Sequence, residues 1–168
     1  MFASRITVLG CCLLLSPLAV TATAQSIEVP AGQHIVLTVL GHGVQIYRCD
    51  QGAKATIWTF VAPEAQLYAN GEQVGTHEAG PMWTYKDSST VSAKVEATAP
   101  ASTANAIPLL LLKASSSSGT GLLTQVTYIT RTAPEGGSAP KQGCGSAPIG
   151  TTLRVPYAAT YTFYAPGK

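Results

Sequence analysis

Tyr157-Ala158-Ala159-Thr160-Tyr161-Thr162-Phe163-Tyr164 has an aromatic period of two. Tyr157, Ala159, Tyr161 and Phe163 fall on one face, as they do only in an extended chain. The same period recurs upstream. In Thr90 to Ala97, residues Val91, Ala93, Val95 and Ala97 face one way, and Ser92, Lys94 and Glu96 the other, the pattern of a half-exposed strand. Leu122 to Thr132 reads as a long strand with Val126, Tyr128 and Thr130 on one face.

Turn signals separate these runs every eight to twelve residues. Asn70-Gly71, between Leu67-Tyr68 and Val74, is the strongest hairpin signal, because a type I′ turn requires positive φ at both positions. His34 to Leu40 is a β-branched run that ends at Gly41-His42-Gly43. Val44 to Cys49 follows at once, so the two segments are expected to form a hairpin. Thr56 to Val61 reads as a strand stopped by Pro63, and Pro100 to Ala106 as a loop. Ile107 to Leu112 is apolar on both faces, as in a strand buried on both sides, with Pro108 near its entrance. Ser115 to Gly121 reads as a flexible connection, and Pro134 to Gly150, with eight Gly or Pro residues, as an irregular loop. No helical period exceeds ten residues. The expected fold is all-β: a single-domain antiparallel β-sandwich or barrel with one disulfide.

The N-terminus reads differently. Met1 to Ala24 has a basic start ending at Arg5, an apolar stretch from Ile6 to Val20 and the pattern Ala22-Thr23-Ala24, which together predict a cleaved secretory signal. Residues 25–168 are then one β domain of about 144 residues. Val8-Leu9-Gly10-Cys11 loosely resembles a lipoprotein cleavage box, but only about five apolar residues precede Cys11, against roughly 7–15 in a signal core. Cys11 and Cys12 lie in the segment to be removed. That leaves Cys49 and Cys144, which are expected to pair in an oxidising compartment, secreted or periplasmic.

Without Arg5, nine basic residues face eight carboxylates, a net charge of about +1. This gives no reason to expect a nucleic-acid partner, which requires concentrated Lys and Arg. No later stretch approaches the roughly 20 apolar residues of a transmembrane helix.

Several ordered motifs resemble a family of secreted bacterial and fungal proteins catalogued as a domain of unknown function. They begin with Gly43-Val44-Gln45-Ile46-Tyr47-Arg48-Cys49, Trp58-Thr59-Phe60 and Ala62-Pro63-Glu64-Ala65. Gly75-Thr76-His77-Glu78-Ala79-Gly80-Pro81-Met82-Trp83 and Ile107-Pro108-Leu109-Leu110-Leu111 follow. Val126-Thr127-Tyr128-Ile129, Gly136-Gly137-Ser138-Ala139-Pro140, Cys144 and the run from Val155 to Tyr164 complete the pattern. Two positions depart from it: Ser88 follows Asp87 where the family tends to have Asp-Gly-Ser, and Leu109 stands where tryptophan is common. The resemblance implies secretion and one compact domain, and carries no activity.

Candidate chemistry centres on His77 to Asp87. If the segment after Pro81 is extended, Trp83, Tyr85 and Asp87 share a face and offer an indole, a phenol and a carboxylate to a sugar or another flat ligand, with His77 and Glu78 beside them. The alternative packs Trp83 and Tyr85 into the core while His77 caps the Gly80-Pro81 turn. His77-Glu78 starts like the helical zinc motif, but Pro81 stands where its second histidine belongs. A scattered site from His34, His42 and His77 is a weaker metal candidate. No G-x-S-x-G elbow or G-x-G-x-x-G fingerprint occurs, and no carboxylate spacing selects a glycosidase pair.

The expected role is that of a secreted β-rich module for surface interaction or ligand binding, a glycan among the candidate ligands. The partner would be an extracellular or envelope ligand, with no catalytic residue, metal or cofactor assigned. The alternative is a hydrolase or metal-binding protein built around His77-Glu78. The Cys49–Cys144 pair reads as a structural staple away from the functional region.

Overall fold

The structure, a computed structural model, describes residues 26–167. The expected signal segment, with Cys11 and Cys12, lies outside the described residues. Eight antiparallel strands follow one another around a closed barrel: β1 (Gln33–Gln51), β2 (Thr56–Ala69), β3 (Glu72–Glu78), β4 (Met82–Tyr85), β5 (Thr90–Ala99), β6 (Leu109–Ser118), β7 (Tyr128–Gly136) and β8 (Thr152–Pro166). β8 pairs back onto β1 from Gln33↔Pro166 to Arg48↔Thr152, which leaves no open sheet edge. The all-β antiparallel expectation holds, and of sandwich and barrel the chain forms the barrel.

The strand that suggested the fold keeps its faces. Tyr157, Ala159, Tyr161 and Phe163 are buried in the interior, where they join Val39, Leu67, Trp83, Val91, Leu112 and Ile129. Asn70 and Gly71 have φ of 52° and 81° and form the expected hairpin between β2 and β3.

Five local expectations are corrected. Gly41-His42-Gly43 is no turn, because β1 runs straight through it. A Cβ on Gly41 would stand 2.7 Å from the Tyr161 ring, and one on Gly43 only 2.0 Å from the Glu64 carbonyl oxygen. These glycines make room for neighbours. Pro63 does not end β2 either. The strand absorbs a register shift near Ile46/Tyr47 and continues to Ala69, with Pro63 opposite Gln45.

The expected strand from Leu122 is replaced by a 3₁₀ turn, Leu122–Gln125, and β7 begins only at Tyr128. Asp87 Oδ2 accepts the Leu122 N–H at 2.7 Å, and Ser89 Oγ accepts the Leu123 N–H at 3.0 Å. These side chains supply the partners that a strand neighbour would otherwise give. Finally, Ser115 to Ser118 belongs to β6, paired with β5, while Ile107 and Pro108 precede that strand. Leu109 and Leu110 are half-buried and Pro108 exposed, so the run is less enclosed than its composition suggests.

The Cys49–Cys144 disulfide forms, with the Cα atoms 5.8 Å apart across 95 residues. It fastens the loop after β7 to the end of β1.

Candidate functional site

Eight tilted strands enclose an interior wide enough for packed side chains or for one small ligand. Toward one end of this barrel, side chains fall short of filling it and leave a cavity of about 540 Å³. All eight strands contribute to the wall.

The floor is aromatic. His77 on β3 lies opposite Trp83 on β4, and their rings stack with centroids 4.3 Å apart and planes 3° from parallel. Tyr161 of β8 meets both edge-on, at 5.1 Å from His77 and 5.7 Å from Trp83. Phe60, Val61 and Val95 line the cavity and are also exposed, which places them at its rim. Leu110, Leu112, Ile107 and Pro63 make the sides apolar.

Few polar groups enter this space. Arg131 on β7 pairs directly with Tyr161 on β8 and with Leu110 on β6, so it shares their inward face. It is 9% exposed. Its Nε and Nη2 both donate to the Pro108 carbonyl, at 3.0 and 2.8 Å. Among the described residues the ion pairs are Arg48–Asp50 and Arg154–Glu64, both on the outside, and none involves Arg131. Its charge is felt across the interior, where it favours the ionised form of Tyr47, Tyr157 and Tyr161 and disfavours protonation of His77.

Gln45, 2% exposed, and Trp83, 1% exposed, also line the cavity. The Gln45 Nε2 and Trp83 Nε1 donors are buried and have no hydrogen-bond partner among the described residues. Gln45 lies close enough to the Tyr157 hydroxyl to lower its pKa somewhat, yet the amide nitrogen makes no hydrogen bond of proper geometry. Burial still dominates there and pushes the Tyr157 phenol far above its ordinary range. The Tyr157 and Tyr161 hydroxyls stand 3.2 Å apart.

His77 is held neutral. Burial pulls its pKa from 6.5 down to about 4, with the Met82 carbonyl opposing and Arg131 assisting. Since a carbonyl only accepts, the 2.9 Å contact from Nδ1 to Met82 O fixes the proton on Nδ1 and leaves Nε2 as the acceptor nitrogen.

The structure thus divides the expected cluster. His77 and Trp83 come together in the cavity floor. Glu78, next to His77 on a strand, points the opposite way and is exposed. Tyr85 is half-buried against the core and lines a separate surface depression with Val36, Leu37 and Val74. Asp87 is exposed and serves the loop: Oδ1 accepts from the Ser89 N–H and hydroxyl, and Oδ2 from Leu122. These bonds, led by the Ser89 hydroxyl, hold its carboxyl below the usual range.

His77 does brace the β3–β4 turn, through Met82 rather than through Gly80 or Pro81. The three-histidine site is not assembled. Among the described residues, no three His, Cys, Asp or Glu side chains are gathered where a metal ion would fit.

Sequence reasoning missed Arg131, Gln45 and Tyr47. The alternation of Gln45, Tyr47 and Cys49 within the expected Val44–Cys49 strand is the available signal for two of them. Tyr47 also alters the view of the disulfide. Its hydroxyl donates to Gly137 O at 2.7 Å, so the loop fastened by Cys144 begins against the cavity wall.

Neither a curated protein nor a solved structure matches the chain. A family model does match, over residues 30–165, which takes in the eight strands, save the last residue of β8, and the cavity-lining residues. The chain therefore belongs to the family DUF3455, proteins of unknown function.

Proposed function

We propose that the barrel binds a small molecule with an apolar body, and that it does so outside the cytoplasm. One observation carries the reading: a cavity of about 540 Å³ whose walls are mainly aliphatic and aromatic, with a few inward polar groups. Ligand sites of roughly 300–1,000 Å³ have this character, the apolar wall supplying affinity and the sparse polar groups orientation. An external glycan platform fits less well, because Trp83 is enclosed and Tyr85 and Asp87 face other surroundings. The Cys49–Cys144 bond supports an extracytoplasmic location, since structural disulfides persist in oxidising compartments.

Nile red, a neutral dye that brightens in apolar surroundings, tests the reading. Titration should give a saturable rise in fluorescence. Leu110→Trp, which places a larger side chain on the half-buried cavity wall, should abolish it without changing the far-UV circular dichroism. The same saturable rise in Leu110→Trp, or none in the wild type, would remove the proposal.

A further inference from the structure

We infer that the ligand is a monocarboxylate, its anionic head held by Arg131 and its apolar body against the cavity wall. The inference rests on the cavity reading above and deepens it. Burying a cation is expensive unless an anion or a full set of hydrogen bonds replaces its water. Among the described residues no carboxylate pairs with Arg131, and its hydrogen bonds fall short of a full set: two donors share the Pro108 carbonyl, and the Tyr161 hydroxyl lies within reach of the guanidinium. A guanidinium offers five N–H donors in a planar fork, so donors remain for a planar two-oxygen acceptor.

Two further observations point to an acceptor-rich head. Gln45 Nε2 and Trp83 Nε1 are buried donors without partners, and both residues line the same cavity as Arg131. Leaving such buried donors unpaired is costly, and an incoming acceptor removes that cost. The charge balance selects the class. Arg131 is the one basic side chain among the residues lining the cavity, and His77 beside it is neutral at ordinary pH. A single positive charge matches a monoanion better than a phosphate ester, which carries about −1.5 to −2. Phe60, Val61, Val95, Leu110 and Leu112 then provide for an aliphatic or aromatic tail.

Displacement of Nile red by decanoate and by decanol, compounds with the same chain and different heads, separates the two levels of the argument. Near pH 7.5 the acid is ionised, because carboxyl groups titrate at about 4. Decanoate should displace the dye at a concentration at least about tenfold lower than decanol, the least expected of a charge-assisted contact. Arg131→Gln should bring that ratio close to one while decanol still competes. Arg131→Lys should keep much of it. Equal displacement by acid and alcohol in the wild type, or an unchanged preference in Arg131→Gln, would overturn the carboxylate inference and leave the apolar cavity standing. Should the Gln variant fail to fold, the wild-type ratio alone decides the matter. Failure of both compounds to displace the dye would sink the cavity reading together with this one.

Discussion

At His77 an imidazole has given up water for a stacked indole and one carbonyl, and this couples packing to pH. Its pKa is about 4 in the fold against 6.5 in the unfolded chain, so between those values the unfolded state binds the proton more readily. The contribution is intact above pH 6.5, declines as pH falls, and is lost by about pH 4, roughly 3 kcal/mol in all. Urea unfolding across this range should show His77→Gln with a shallower acid dependence than the wild type. Parallel curves would refute the assignment. Trp83→Ala should cost about 3–5 kcal/mol, since the ring is enclosed in the core. Ser88 adopts φ of 67°, a left-handed conformation that disfavours a Cβ. Ser88→Gly should therefore raise stability by up to about 1 kcal/mol, measured as a shift in the urea midpoint.

At the scale of elements, local alternation identified β8 and the first half of β5, which put one face into the interior and the other outside, while a bulge between Val95 and Ala97 breaks the pattern and leaves Val95 exposed. It misjudged β1 because glycines signal turns and close approaches alike, and only the partner decides which. Here the partners are the Tyr161 ring and the Glu64 and Ala65 backbone, more than twenty residues away in sequence from Gly43 or Gly41. Gly43→Ala should cost about 1–3 kcal/mol through this crowding, read as a lower thermal midpoint; an unchanged midpoint would show that β2 can yield. The 3₁₀ turn at Leu122–Gln125 was equally hidden, since it depends on acceptors from Asp87 and Ser89 more than thirty residues earlier. The candidate site was legible in half. His77 and Trp83 stood out as unusual residues, whereas Arg131 became informative only through what surrounds it.

For the molecule as a whole, closure of the barrel and the disulfide act together. β1 and β8 bring both ends of the barrel's chain into the sheet, and Cys49–Cys144 closes 95 residues of chain and fastens the loop after β7, whose start borders the cavity. In the chain-entropy picture a loop of this length contributes about 4–5 kcal/mol. The paired Cys49→Ser and Cys144→Ser variant should lose a stability of that order in chemical denaturation, and Nile red affinity should fall with it if the loop shapes the cavity. The central claim concerns where a ligand sits, and the two tryptophans report on it directly: Trp83 lines the cavity and Trp58 does not. In proton–nitrogen spectra recorded during addition of decanoate, the Trp83 indole N–H should shift and saturate at one equivalent while that of Trp58 stays in place. A static Trp83 signal with bound ligand, or movement of Trp58 alone, would contradict the account.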